Sequence, residues 1–239
     1  MWALAGGRAP GPSRRDWMTL VFLGLVGNTV FQLCLVGGLR YTTPGHSALL
    51  INLNPVLTSL LARAWLGERL SGARALGILL AFGGVAVLVT QGSGLTEGGS
   101  LLGDLLSLGA AGAWALYTVV GKPVLATRSP LDVTTLAMAV GALPLLPLGL
   151  PGLVAVPWRQ LSLGTWALLV YLSVFLAVSF LLFYWALARA ATARVVAFSY
   201  LTPVVAVAIS VAVGQEPLSG TLVGGALAVI GGVSLTQRT

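Results

Sequence analysis

Two stretches decide how this chain folds: INLNPVLTSLLARAWLGERLSG, Ile51 to Gly72, and SYLTPVVAVAISVAVGQEPLSG, Ser199 to Gly220. Each places polar side chains and a proline inside an otherwise apolar run. Aligning Pro55 with Pro203 gives an offset of 148 residues that holds without a gap. Leu53, Val56, Ala64, Glu68, Leu70, Ser71 and Gly72 then fall on identical residues, Leu201, Val204, Ala212, Glu216, Leu218, Ser219 and Gly220. Gly77, Gly83, Gly84 and Val85 continue onto Gly225, Gly231, Gly232 and Val233. Matches of Leu, Val and Ala arise often in apolar sequence. The shared E-x-L-S-G signature and the glycine spacing do not, and they indicate an internal duplication.

The 239 residues are 57% hydrophobic and only 8% charged, against about 25% charged in soluble domains. So few charges cannot cover a water-facing surface, so most of the exterior faces lipid. The formal charge of +7 does not point to nucleic acid. The basic residues stand singly or in pairs between apolar runs, as topogenic charges do, rather than in a stripe with interleaved aromatics. Cys34 is the sole cysteine, which excludes an intrachain disulfide and a cysteine metal cluster.

A helix needs about 20 apolar residues to cross the hydrocarbon core, and eight segments qualify. They run approximately Trp17–Leu39, Gly45–Leu66, Ala73–Thr90, Ser100–Val120, Leu131–Leu150, Leu163–Leu187, Ala193–Val213 and Ser219–Leu235. Pro144, Pro147 and Pro151 blur the end of the fifth. With the N-terminal loop taken as cytoplasmic, eleven of the 13 basic residues lie at the cytoplasmic side, and only Arg40 and Arg159 lie opposite. The positive-inside rule favours that orientation, which also places the C-terminus in the cytoplasm.

Five steps separate the matching second and seventh spans, so the two copies traverse the membrane in opposite directions. The charges agree. Arg63, Arg69 and Arg74 of the first copy correspond to Val211, Pro217 and Leu222, while Tyr41 and His46 correspond to Arg189 and Arg194. Inverted repeats are a mark of secondary transporters with a midplane site. The expected organisation is an N-terminal cytoplasmic loop (1–16), a partial first repeat of three helices (17–91) and a complete second repeat of five (100–238). The fold class is therefore all-α: a polytopic membrane protein of eight transmembrane helices, in inverted five-helix repeats with the first incomplete. Spans four and five have no counterpart before Trp17. Either the reading frame begins upstream of Met1, or two helices have been lost.

The run LRYTTPGHSALLINLNPVLTSLLARAWLGERLSGARALGILLAFGGVAVLV (39–89) resembles the EamA-like unit of the drug/metabolite transporter superfamily. Shared features are a small-residue helix, a mid-membrane proline, a G-E-x-L turn and a glycine-rich closing helix. The resemblance covers nearly the whole chain. It implies ten spans in two inverted five-helix repeats and a small-molecule permease, often an exporter of amino acids or related metabolites. This chain departs in lacking the first two helices and in reading GQEPL, Gly214 to Leu218, where the unit usually has GERL.

Pro55 and Pro203 are candidate hinges, because each removes a backbone donor and bends its helix. Asn52 and Asn54 correspond to Tyr200 and Thr202, so both copies carry polar side chains one and three residues before the proline. They point inward, either to line a cavity or to hydrogen-bond between helices. Asn28 and Gln32 stand four apart and present two amides on one face. Trp114 and Tyr117 share a face of the fourth span and Tyr171 lies on the sixth; all three are cavity candidates. Trp17, Trp65, Trp158, Trp166 and Trp185 read as interfacial belt residues. His46 and Asp104 are candidates for a proton or cation site, set against a solvated histidine and an acid favoured by a helix N-terminus. Glu68 is expected to pair with Arg69, Arg74 or a helix start. Ala73, Gly77 and Ala81, with Gly224, Ala228 and Gly232, should pack spans three and eight closely.

No metal cluster, phosphate-binding loop or catalytic triad is legible, so neither a cofactor nor an enzyme is expected. The expected function is a secondary permease that exports small metabolites or amino-acid-like solutes by alternating access. The alternative is a transport-inactive scaffold or partner subunit. Expected partners are the lipid bilayer and a small-molecule solute, with a homodimer as an option and no nucleic acid. Ala-, Gly- and Arg-rich usage suggests the plasma membrane of a bacterium.

Overall fold

The computed structural model describes residues 14–92, 100–214 and 219–237. The N-terminal loop before Arg14 and the turn carrying Glu216 lie outside the described residues. The described chain is helical, and eight of its helices are long and apolar enough to cross a membrane. Several are composite. The first span is built from α1 (Arg14–Gly24), a π-helical turn (Leu25–Val30) and α2 (Phe31–Tyr41). The second is α3 (Pro44–Ile51) followed by α4 (Asn54–Leu66), and α5 (Gly72–Gly92), α6 (Leu101–Val124), α7 (Pro130–Ala155) and α8 (Leu163–Leu187) are continuous. The seventh joins α9 (Thr192–Ala197), a 3-10 turn (Phe198–Tyr200) and α10 (Leu201–Ala212), and α11 (Gly220–Gln237) is the eighth.

Local sequence sets the ends. Thr43 caps α3 by accepting from the His46 N–H, with Pro44 in the first turn; Ser129 does the same for α7 ahead of Pro130, and Ser162 for α8. A short hydroxyl followed by proline satisfies one orphan donor and removes another. Gly67 ends α4 at φ 67°, a left-handed conformation that only glycine adopts without steric cost. The sequence expectation that the fifth span fades near Leu150 is corrected: α7 continues through Pro144, Pro147 and Pro151 to Ala155. In lipid an unbonded backbone group is costlier than a bend, so the helix persists through its prolines.

The chain divides into two compact units, Met1–Thr29 with Val120–Arg189, and Val30–Val119 with Ala190–Thr239. In the first unit, α1 packs closely on α7: a Cβ at Gly24 would lie 2.7 Å from the Ala137 carbonyl oxygen. Thr29 donates from Oγ1 to the Gly141 carbonyl at 2.8 Å, and Arg128 pairs with Asp16 at 2.9 Å. The face of α8 lined by Leu172, Leu176 and Leu182 is about half exposed, as a lipid-facing helix should be.

The second unit is organised by α5 and α11. A Cβ at Gly77 would lie 2.6 Å from the Gly232 carbonyl oxygen, and one at Gly84 would lie 2.7 Å from that of Gly225. Rising residue numbers on one helix meet falling numbers on the other, so the pair is antiparallel. Adding 148 turns Gly77 into Gly225 and Gly84 into Gly232. The two contacts therefore exchange under the repeat, as a two-fold axis in the membrane plane requires. Ala81 and Val229, also repeat mates, are both fully buried between them. The expected four-residue ladder is corrected on α11. A Cβ on Gly224 would meet nothing within 4 Å, and the seam uses Gly225, Val229 and Gly232 instead. Spacings of four and then three track one face of a 3.6-residue helix; repeated fours drift off it.

Replacing Gly84 with Leu should cost about 1–3 kcal/mol through overpacking against backbone, whereas Gly83→Ala, with nothing within 4 Å of its Cβ, should be near neutral. Thermal melting of the two variants in detergent compares them directly.

Candidate functional site

The feature with the strongest functional bearing is the pair of interrupted spans in the second unit. Span two breaks at Asn52 and Leu53, where ψ falls to −2° and −14°. Span seven tightens into the 3-10 turn ending at Tyr200, with Tyr200 and Leu201 at ψ −18° and −19°. The offset of 148 carries Asn52 and Leu53 onto Tyr200 and Leu201, so both interruptions occupy the same place in the repeat. The cause is local. Pro55 and Pro203 have no N–H, which denies the carbonyls of Ile51 and Ser199 their helical donors.

The polar residues around the first break bond locally. Asn52 donates from Nδ2 to the Ala48 carbonyl at 2.7 Å, and Thr58 donates from Oγ1 to Asn54 Oδ1 at 3.0 Å. Ser59 Oγ donates to the Pro55 carbonyl at 2.7 Å. The expected interhelical bonding of these asparagines is thus corrected: both bonds stay within span two, each joining residues four apart on one helix face. Asn52 Oδ1 and Asn54 Nδ2 are the amide atoms these bonds leave unused.

The second copy carries different side chains at its break. Tyr200 is fully buried in a core of Ile78, Ala81, Val85, Ala193, Leu222, Val229 and Val233. Its hydroxyl has no hydrogen-bond partner among the described residues. Thr202 is exposed. Trp114 stacks in a tilted chain between Phe31 and Tyr117, with ring centroids 5.3 and 5.5 Å apart, and Tyr117 is fully buried. Gln32 is exposed. In the first unit, Asn28 lies in the π-helical turn and donates to the Ala137 carbonyl at 3.3 Å; no sequence pattern announced that turn, a geometry often found at functional sites. Tyr171 stacks on Phe175 on the exposed face of α8. An open recess of about 740 Å³ there is lined by Trp166, Val170, Tyr171, Val174 and Phe175 among others, all from one helix. Lined by one helix face and almost without polar surface, it is a lipid groove, not a solute site.

His46 and Asp104 meet, also in the second unit. Asp104, in the first turn of α6, accepts from Thr42 Oγ1 at 2.7 Å, and His46 Nδ1 lies 3.6 Å from the same oxygen. Beside them Ser100 donates from Oγ to the Tyr41 carbonyl at 2.7 Å, and Ser107 donates to Ser47 at 2.9 Å. This cluster ties α6 to the turn between α2 and α3. No group of three His, Cys, Asp or Glu able to hold a metal occurs among the described residues.

Sequence reasoning placed Glu68 in a local pairing. The structure shows a long-range one: Thr192 donates its backbone N–H to Oε2 at 2.9 Å and its hydroxyl to Oε1 at 2.7 Å. Thr192 is fully buried. The bond spans 124 residues, and no spacing rule links the two positions.

Comparison with known proteins follows the same lines. The model of the EamA-like transporter family matches residues 1–90 and 101–238. A Bacillus subtilis protein named an uncharacterized transporter is 34% identical over 224 residues, covering 91% of this chain and 72% of its own. A protein of Streptantibioticus cattleyicolor named a probable terminal-alkyne amino-acid exporter is 34% identical over 230 residues, covering 95% of this chain and 76% of its own. A crystal structure with 22% identity superposes with a TM-score of 0.80 over 99% of this chain and 82% of that one, a likeness of fold.

Thr42→Val removes a hydroxyl that donates to a carboxylate and should destabilise by about 1–3 kcal/mol, while Thr42→Ser should retain most of the stability; detergent melting curves at pH 7 report both.

Proposed function

The chain belongs to the EamA-like transporter family and is a multi-pass membrane transporter; from that premise we propose that it exports small amino-acid-like solutes by alternating access. The observation that carries this reading is the pair of broken spans at repeat-equivalent positions. Broken helices offer a polar solute backbone carbonyls and helix ends inside the membrane, without a buried charge to desolvate. The solute class follows the name of the Streptantibioticus relative. Amides suit such a solute: Asn52 Oδ1 can accept from an ammonium group, and Asn54 Nδ2 can donate to a carboxylate.

In this reading Gln32, Asn52, Asn54, Trp114 and Thr202 are the cavity candidates, and Pro55 and Pro203 the hinges. The repeats are those set by sequence, 17–91 and 100–238. His46 and Asp104 form the candidate proton site. The arginine-rich ends and the C-terminus face the cytoplasm of a bacterial cell. A transport-inactive scaffold is not favoured, since the relatives carry transporter names.

Proteoliposomes holding the full chain and preloaded with a neutral amino-acid panel should show counterflow of at least one labelled amino acid. Pro55→Ala or Pro203→Ala should cut the rate about tenfold if hinge motion limits turnover. Absence of counterflow for every solute in the panel, with correctly inserted protein, would refute the solute class.

A further inference from the structure

We propose that Glu68 is a positioning residue for transport, a releasable clasp that holds the arginine-rich ends of spans two and seven together. The inference rests on the transport reading and its orientation. Glu68 sits just past Gly67, in the turn between α4 and α5, and grips the first residue of α9 through both carboxylate oxygens. Spans two and seven are the two broken helices, and α4 packs directly on α9; this side chain adds the polar tie between elements whose relative motion would open the path.

Three observations make the clasp more than a helix cap. First, its hold on α9 passes through one side chain on a connecting turn. One rotamer change therefore releases both bonds without breaking a backbone ladder. Second, the donor is unusual for its place: Thr192 supplies a buried N–H and a buried hydroxyl, and an ionised carboxylate is the acceptor that satisfies both at once. Third, the repeat does not reproduce it. The counterpart of Thr192 in the first copy is Pro44, which has neither an N–H nor a hydroxyl. At the other membrane face, the polar ties of Asp104 to Thr42 and His46 join α6 to the turn between α2 and α3, not span two to span seven. Among the described residues, a bundle whose core seam is two-fold symmetric thus shows different polar ties at its two ends. The Glu68 bonds favour closure of the arginine-rich end, and their release lets that end open.

The test reads accessibility rather than flux, so it needs no identified solute. In the full chain with Cys34→Ser, one reporter is Ala193→Cys, a buried position beside Thr192. A second is Ser47→Cys, buried near the opposite face. Each is labelled with a membrane-impermeant maleimide, in inverted and right-side-out vesicles respectively. Adding Glu68→Ala should raise labelling of the Ala193→Cys reporter at least about fivefold, the scale of an opening equilibrium moved by one charge-assisted bond. Labelling of the Ser47→Cys reporter should fall. With Glu68 intact, Thr192→Ser should keep the parent pattern, and Thr192→Val should give a weaker change in the same sense as Glu68→Ala. If Glu68→Ala does not fold, Thr192→Val alone carries the comparison. Both reporters unchanged, or both more reactive together, would show a purely structural tie and overturn the proposal. Because flux is not read, failure of the amino-acid assignment leaves this result intact, and the converse holds.

Discussion

Lipid supplies no hydrogen-bond partners, and that absence governs the molecule. Every backbone N–H and C=O inside the hydrocarbon must find its partner within protein, which is why the described chain is made of helices. The same constraint makes each interruption conspicuous. Around Pro55, the nearby polar residues bond within their own span. Asn52 bonds the carbonyl of Ala48, and Ser59 bonds that of Pro55. What looks like misplaced polarity in an apolar run is bonded within its own span, and the amide atoms left over are what remains for a solute.

Against that background the α5 and α11 seam does a separate job. Apolar burial gives little drive for association between helices already in an apolar solvent, so close van der Waals approach has to supply it. Gly77 against Gly232 and Gly84 against Gly225 permit that approach, and they do so reciprocally under the repeat. The seam is therefore the closely packed part of the second unit, while the broken spans beside it hold the polar groups.

Polar ties then act at the ends, where the cost of desolvation is lowest. Asp104 with Thr42 and His46 at one end, and Glu68 with Thr192 at the other, each join elements distant in sequence. Their chemistry differs because the two copies differ: Pro44 stands where the second copy has Thr192.

By itself, the sequence determined the membrane class, the eight spans, the duplication and the family resemblance. All of these depend on composition and on one-dimensional period, which survive without knowledge of contacts. It also located Pro55 and Pro203, because proline acts on its own backbone. Tertiary structure alone decided that Tyr200 is core, that α11 packs through Gly225 rather than Gly224, and that Glu68 reaches Thr192. Which face of an apolar helix meets a neighbour is nearly silent in sequence here, since lipid and protein interiors demand the same side chains. A bond across 124 residues depends on how helices pack, and only the folded chain brings its partners together.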